Sequence, residues 1–298
     1  MPLNALRCFS FCGKWSRSLD TSPGEAVKEM APDTISIMEG RTAFGAVSKA
    51  YNDARPPYPQ RVFDILRDVG ALPQGARVFE IGAGTGQATE PLLAMGSTVS
   101  AVEPNERLSS ILADRLKNYG SLLNVVKTSF EDSDLLAGAF DLGVAATAFH
   151  WLKAEPTLAT VFRLLRPGGW WAMWWTVFGD PDDMDPFQRR TQSLFERLSR
   201  SPSNDGKRPF ALDREARKAE LETAGFLKVG YEEIRWKNRL TTRQVQLLTQ
   251  TFSSVARLSQ DERSNFLSEI GRIVDDEFGG HVRRNFVTAV YVGQKPPT

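Results

Sequence analysis

Three closely spaced glycines, Gly82, Gly84 and Gly86, follow a short apolar run at residues 77–81. Glycine lets the backbone approach a ligand closely, and a helix that starts beyond it directs free amides at that ligand. Glu103 follows about 20 residues after the first glycine, at the end of a second apolar run, where a carboxylate can bind ribose hydroxyls. The spacing therefore predicts a nucleoside-binding loop with its ribose-binding acid.

The identity of the nucleoside depends on two flanking positions. Dinucleotide-binding loops place a third glycine at the position that Gln87 occupies here. An acid, Glu80, stands two residues before the first glycine. These departures favour a ligand without a pyrophosphate over a nicotinamide dinucleotide. An ordinary tight turn between a strand and a helix is the structural alternative.

His150 is the histidine closest to this predicted site, and the chain contains only one other, His281. A lone histidine beside Trp151 is either a packed, hydrogen-bonded wall residue or a group that orients or deprotonates a ligand. Trp175, near the end of an aromatic strand, is a candidate wall of an apolar ligand pocket.

Metal chemistry has little support in the sequence. Two distant histidines and no paired cysteines do not make a zinc site. Four acids lie close together at positions 180, 182, 183 and 185, but Asp185 followed by Pro186 is typical of a helix N-cap with proline at the first helical position. We therefore predict a cap and no metal.

The charge balance and the cysteine content limit which partners and which cellular compartment we expect for the chain. The chain carries 37 Lys and Arg against 36 Asp and Glu, a formal net charge of +1, which gives no electrostatic case for nucleic acid or an anionic membrane surface. No apolar run in it approaches the ~18 residues of a membrane-spanning helix. The only cysteines are Cys8 and Cys12, which fits a reducing compartment. We expect a cytoplasmic protein that acts on a small molecule, with its oligomeric state open.

The elements that position these residues alternate between strands and helices, which indicates a parallel sheet covered on both faces. We predict strands at 77–81, 99–102, 123–126, 141–146 and 170–177, and helices at 57–69, 87–95, 105–119 and 155–165. For the second half of the chain we predict, in order, a helix at 213–224, a strand at 226–236, helices at 242–258 and 260–278, and a strand at 285–292. Alternation along 170–177 places Trp171 and Trp175 on one face of the strand and Trp170 and Trp174 on the other.

Residues 1–40 differ from the rest, because they are rich in Ser and Pro and show no periodicity. We predict a disordered extension there, with an organelle-targeting segment as the alternative. Residues 41–298 then form one α/β domain, with helical insertions near 180–212 and 241–280.

Several motifs in a fixed order resemble one enzyme family. Residues 80–86 and 101–104 resemble the glycine-rich motif and the acidic loop of class I S-adenosylmethionine-dependent methyltransferases. The segments 51–59, 140–151, 165–169 and 221–226 are similar to its small-molecule branch, which includes trans-aconitate methyltransferase-like proteins. The resemblance extends over residues 43–293 and implies a Rossmann-like, mostly parallel seven-stranded sheet with a C-terminal antiparallel strand.

The resemblance also implies S-adenosylmethionine as cofactor and a role for each matching residue. Glu80 is expected near the donor's amino group, the three glycines under its methionine and ribose, and Glu103 on the ribose hydroxyls. The remaining positions are Ser129, Phe130 and Glu131 at the adenine, Thr147 at the methyl end, and Tyr51, Arg55, Trp151 and Trp175 in the lid or acceptor pocket.

The expected activity is methyl transfer to a small-molecule acceptor, with a carboxylate or hydroxyl oxygen as its target. Arg55 is either part of the lid or a bidentate partner of an acceptor carboxylate. A nicotinamide-dependent oxidoreductase and a catalytically silent donor-binding protein are the alternatives.

Overall fold

Seven strands of the computed structural model, which describes residues 55–198 and 208–298, form one sheet. They are β1 (Arg77–Ile81), β2 (Thr98–Val102), β3 (Leu123–Val126), β4 (Phe140–Ala146), β5 (Leu165–Val177), β6 (Leu227–Thr241) and β7 (His281–Gln294). Their order is β3-β2-β1-β4-β5-β7-β6. Neighbours among β1 to β5 are parallel, and β7 runs antiparallel between β5 and β6. The predicted Rossmann-like sheet with a reversed last strand is confirmed.

Nine α-helices accompany the sheet in the described part of the chain. They are α1 (Gln60–Asp68), α2 (Thr89–Ala94), α3 (Glu106–Arg115), α4 (Ala154–Leu164), α5 (Pro186–Glu196), α6 (Arg214–Thr223), α7 (Thr242–Thr249), α8 (Ser253–Ala256) and α9 (Gln260–Phe278). Short 3-10 turns lie at Lys117–Leu122, Phe149–Trp151 and Phe210–Leu212. None of these helices is long and apolar enough to span a membrane.

The predicted helix at 242–258 is wrong, because the chain forms α7 and α8 with a break between them. The hydroxyl of Thr251 donates to the Leu248 carbonyl at 2.7 Å, and Phe252 is extended. A threonine that bonds back to the preceding turn competes with the next helical hydrogen bond. The break releases the side chain of Phe252, which stacks on Phe178 with ring centroids 5.8 Å apart.

The last two strands are longer than the apolar pattern predicts. β6 and β7 pair from Leu227 opposite Gln294 to Thr241 opposite His281. β6 lies at the sheet edge and carries charged residues between half-buried ones, which hides its length in a search for apolar runs. The predicted extension at 1–40 lies outside the described residues, and the boundary at residue 41 stays a prediction.

The tryptophans of β5 divide between the two faces of the sheet, as predicted. Trp170 and Trp174 belong to one buried cluster, and Trp171 and Trp175 belong to the other. A third buried cluster joins α5, α7 and α9 to β7. The helices that follow β5 therefore have a core of their own at one end of the sheet.

Asp185 links this third cluster to the sheet. One carboxylate oxygen accepts from the Gln188 amide at 2.7 Å and caps α5, as predicted. The other accepts from Arg284 Nε at 2.9 Å and from the Asn285 amide at 3.0 Å. Both charged side chains are buried, and burial lowers the pKa of Arg284. In residues 55–198 and 208–298 no group of His, Cys, Asp and Glu could hold a metal.

We expect Asp185→Ala to lower the free energy of unfolding by about 3–5 kcal/mol, because it leaves Arg284 buried without its partner. Asp185→Asn should cost about as much, since its amide oxygen can still cap α5 but its amide nitrogen would face the N–H groups of Arg284 and Asn285. Urea denaturation measures both. Asp114→Ala, which removes an exposed ion pair with Lys117, is the control and should cost ~1 kcal/mol or less. Equal losses in Asp185→Ala and the control would contradict this role.

Candidate functional site

A cavity of about 720 Å³ lies at the carboxyl ends of β1, β2, β4 and β5. The strand order reverses between β1 and β4, and ligands of open α/β sheets bind at such a reversal. Most of the residues predicted for the site line this cavity: Arg55, Gly82, Gly84, Glu103, Ser129, Phe130, Glu131, Thr147, His150, Trp151 and Trp175. Glu80 and Gly86 lie outside its lining, and Tyr51 lies outside the described residues.

The glycine loop follows β1 in a left-handed backbone. Its glycines have φ values of 67° at Gly82, 59° at Gly84 and 91° at Gly86, which side chains rarely adopt. A Cβ at Gly82 would lie 2.6 Å from the Cβ of Ala148, so the loop after β4 packs directly on this position. A Cβ at Gly86 would lie 2.9 Å from a methyl of Leu116. Gly86 therefore allows close packing, while Gly82 and Gly84 face the cavity.

Glu103 is held by the glycine loop itself. One of its oxygens accepts from the Gly84 amide at 2.8 Å, and the other accepts from the Asn105 amide at 2.9 Å. Burial raises the pKa of this carboxyl, and the two amides oppose that shift because they stabilise the anion. Each oxygen keeps a further lone pair for a ligand. The acid is thus fixed in orientation at the cavity wall.

Glu80 lies behind the loop and is 1% exposed. The hydroxyl of Thr89 donates to it at 2.6 Å. Burial is the main cause that raises its pKa to about 8, with the nearby charge of Glu103 adding to the shift and the Thr89 hydrogen bond opposing it. Burial therefore favours the neutral form of this carboxyl. Its contact with a donor amino group stays a prediction.

The segment expected at the adenine follows β3. Ser129 donates to the Asp132 carboxylate at 2.6 Å, which fixes the turn. Phe130 is buried, and its ring stacks on Phe79 with centroids 6.0 Å apart. Glu131 is exposed. The turn therefore presents a ring that is anchored in the core and an acid that reaches solvent.

Thr147, directly after β4, has a φ of 56°. A β-branched residue in this region is rare and strained, and such strain is concentrated at functional sites. Its amide donates to the Trp174 carbonyl at 2.7 Å, and its hydroxyl lies 3.1 Å from the Tyr58 hydroxyl. Tyr58 lies in the motif at 51–59, but the sequence did not single it out as the partner of Thr147.

His150 lies in the 3-10 turn Phe149–Trp151 at the cavity wall. Trp175 Nε1 donates to His150 Nδ1 at 2.9 Å, and the Trp151 ring lies 4.6 Å away. Burial, together with the charge of Arg55, lowers the pKa of His150 to about 3. The histidine is therefore neutral throughout the physiological range.

The far side of the cavity is aromatic. Phe178, Phe195 and Phe252 line it, and Phe252 contacts both other rings. The Arg55 guanidinium lies 5.3 Å from the centre of the Phe178 ring and donates to the hydroxyl and carbonyl of Thr251, both at 3.4 Å. These rings could not be predicted from the sequence, because they come from three segments whose meeting depends on the break between α7 and α8.

Comparison with known proteins agrees with this geometry. Residues 79–173 match the profile of a methyltransferase domain. An uncharacterized methyltransferase of Schizosaccharomyces pombe is 25% identical over 274 residues, which cover 87% of this chain and 99% of that protein. The chain carries a methyltransferase domain and has the fold of class I S-adenosylmethionine-dependent methyltransferases. The narrower resemblance to trans-aconitate methyltransferase-like proteins stays a prediction.

Solved structures share the fold of this methyltransferase. A putative type II methyltransferase from Anaeromyxobacter dehalogenans has a TM-score of 0.62 at 20% identity, over 82% of this chain and 99% of its own. A phosphoethanolamine N-methyltransferase 2 from Haemonchus contortus, in complex with S-adenosylhomocysteine, has a TM-score of 0.55 at 16% identity, over 88% of this chain and 60% of its own. The reversed strand between β5 and β6 thus belongs to a recurrent methyltransferase fold.

S-adenosylmethionine is the methyl donor of this enzyme, and the site fits it. A fixed, buried carboxylate at the end of β2 suits ribose hydroxyls, and the glycine loop offers backbone without side chains beside it. The individual donor contacts of these residues stay predictions.

We expect Glu103→Ala to weaken the binding of S-adenosylhomocysteine by about 10- to 100-fold, because charged hydrogen bonds are worth about 1.5–3 kcal/mol. Glu103→Gln should bind S-adenosylhomocysteine no more tightly than Glu103→Ala, since its amide nitrogen would face a backbone N–H of Gly84 or Asn105. Calorimetric titration measures both, with circular dichroism to verify folding. Unchanged affinity in either variant would place the ribose elsewhere.

The buried Glu80 predicts a pH-dependent stability. Its pKa in the folded chain, about 8, lies above its ordinary value of 4.5. Its contribution to the free energy of unfolding is therefore complete below about pH 4.5 and is lost as the pH rises through 8. The free energy of unfolding should therefore fall between pH 5 and 8 by on the order of 1 kcal/mol or more. Glu80→Gln, which mimics the neutral acid, should reduce this fall in denaturation measured across the same range. An unaltered slope would show that Glu80 is ionised.

Proposed function

We propose that this methyltransferase methylates an oxygen, a carboxylate or a hydroxyl, of a small and largely apolar acceptor. The observation that carries the proposal is the continuity of the cavity. It runs from Gly84 and Glu103 at the donor end to the rings of Phe178, Phe195 and Phe252. The residues that fit the donor and those that fit an apolar molecule thus face one space.

The size of the cavity supports a small acceptor. A volume of about 720 Å³ lies within the roughly 300–1,000 Å³ of pockets that hold drug-sized ligands. Donor and acceptor must share this volume. A folded protein or a nucleic acid does not fit in this volume, although one extended side chain of a protein would.

The polar groups at the acceptor end favour an oxygen with negative charge. Arg55 and His150 both line the cavity, and the positive charge of Arg55 helps to lower the pKa of His150. A guanidinium presents several N–H donors in a plane that matches a carboxylate. The aromatic rings bind the apolar body of the acceptor while these donors bind its oxygen.

Methyl transfer to such an oxygen requires little from the protein beyond holding the two reactants in position and excluding water from the site. When bound, the donor supplies a methyl group on a positively charged sulfur. The acceptor oxygen uses a lone pair to form the new O–CH₃ bond while the S–CH₃ bond breaks and its electrons stay on sulfur. The chain's own residues hold the oxygen in line and exclude water.

Incubation with S-adenosylmethionine and a panel of apolar acids, phenols and amines, read by mass spectrometry, tests this proposal. We expect a gain of one methyl on an acid or a phenol. For that acceptor, Arg55→Met should raise the Michaelis constant by about 10- to 100-fold, because a charged hydrogen bond is lost, and should leave the affinity for S-adenosylhomocysteine unchanged.

Two variants control this experiment. Arg61→Met removes an exposed ion pair with Glu232 outside the cavity lining and should behave as wild type. Arg55→Lys keeps the charge but not the planar donors, and should lie between wild type and Arg55→Met. Methylation of amines alone, or an acceptor Michaelis constant indifferent to residue 55, would contradict the proposal.

A further inference from the structure

The hydrogen bond between Trp175 and His150 fixes where the histidine carries its proton. An indole N–H only donates, so His150 Nδ1, which lies 2.9 Å from it, must be the unprotonated nitrogen. A neutral imidazole carries one proton, which therefore lies on Nε2. His150 thus offers an N–H, and not a lone pair, at its remaining nitrogen.

We propose that Trp175 is a positioning residue that holds His150 as the Nε2–H tautomer, so that His150 donates a hydrogen bond to the acceptor oxygen and the enzyme selects carboxylates over hydroxyls. This inference rests on the proposed function and names its acceptor class. It differs from the role of His150 as a base, which needs an unprotonated nitrogen facing the acceptor.

The position of Trp175 makes this arrangement stable. The residue is 3% exposed in β5, where it pairs with Ala289 of β7. Its ring packs edge-on against Phe210, at 5.4 Å, and Tyr291, at 6.2 Å. A buried indole in such packing has no room to turn its N–H away from His150.

The surroundings of His150 keep it neutral. Trp151 and Phe210 pack beside its ring, and the charged group that acts on it is the Arg55 guanidinium, which disfavours a second positive charge. Among residues 55–198 and 208–298, the carboxylates that line the cavity are Glu103, which two amides hold, and Glu131 and Glu196, which are both exposed. The hydrogen bonds and the charge at His150 therefore favour donation to an anion.

The two acceptor classes differ in their need for a proton acceptor. A carboxylate arrives ionised, so forming its O–CH₃ bond while the S–CH₃ bond breaks moves no proton. A hydroxyl must lose its proton to a base, and both nitrogens of His150 are engaged: Nδ1 by Trp175 and Nε2 by its own hydrogen. The carboxylate matches the donors Arg55 and His150 without a further group.

Nitrogen-15 NMR of the ligand-free protein tests the tautomer directly. The chain has two histidines, so His281→Gln leaves the signals of His150 alone. We expect the Nε2–H tautomer, unchanged between pH 5 and 8, and a mixture of tautomers in Trp175→Phe. A Nδ1–H tautomer, or a titration near the ordinary pKa of about 6.5, would overturn the proposal. This readout needs neither donor nor acceptor, so it is separate from any failure of the proposed function.

Kinetic measurements with a carboxylic acid that the enzyme methylates test the proposed selection of carboxylates over hydroxyls. His150→Gln, which keeps an N–H donor near the place of Nε2, should stay within about threefold of wild type, while His150→Phe should raise the acceptor Michaelis constant at least tenfold. The rate with wild type should show no ionisation of a histidine. A 10²–10⁴-fold loss of turnover in His150→Gln would make His150 the base and overturn the proposal.

Binding of S-adenosylhomocysteine by calorimetry verifies that each variant retains its donor site. Wild type should methylate an apolar carboxylic acid in preference to the alcohol or phenol of the same skeleton. Preference for the alcohol or phenol would overturn the selection. If neither is methylated while the expected tautomer is observed, the proposed function fails and the acceptor selection fails with it.

Discussion

The close contact of Gly82 with Ala148 is the constraint on which the site depends. A Cβ at position 82 would lie 2.6 Å from the Ala148 side chain, so glycine alone lets the loop after β1 meet the loop after β4. That second loop carries Thr147 and His150. The contact therefore brings together the two loops that we propose to face the donor and the acceptor, at the reversal of the strand order.

Two buried carboxylates organise the structure on either side of this contact. Glu103 joins the end of β2 to the glycine loop through backbone amides, which fixes it without a countercharge. Asp185 joins α5 to β7 through Arg284 and Asn285. Because α5 supplies Phe195 to the cavity, the second carboxylate helps to hold the aromatic wall in place.

Much of the fold could be predicted from the sequence, because its signals are local. The bounds of β1, β3 and α9 are as predicted, since apolar runs, glycine and a capping box mark them within a few residues. The break between α7 and α8 was missed, because a hydrogen bond from Thr251 to its own helix overrides the helical pattern. The length of β6 was missed because pairing with β7, and not burial, defines it.

The glycine-loop side of the cavity could be predicted for the same reason, and the aromatic side could not. Glycine spacing and Glu103 are readable from one stretch of chain. The aromatic wall joins Phe178, Phe195 and Phe252 from three segments. The hydrogen bond that His150 accepts comes from Trp175, a residue 25 positions away on another element. Such pairs exist only once the tertiary structure is formed.

The crystal structure of the protein with S-adenosylhomocysteine tests the central claim most directly, because it shows which half of the cavity the donor occupies. We predict ribose hydroxyls within hydrogen-bond distance of Glu103, and the sulfur directed past Thr147 toward His150 and the aromatic rings. A nucleoside bound among Phe178, Phe195 and Phe252, with Glu103 contacting only the amides of Gly84 and Asn105, would contradict it.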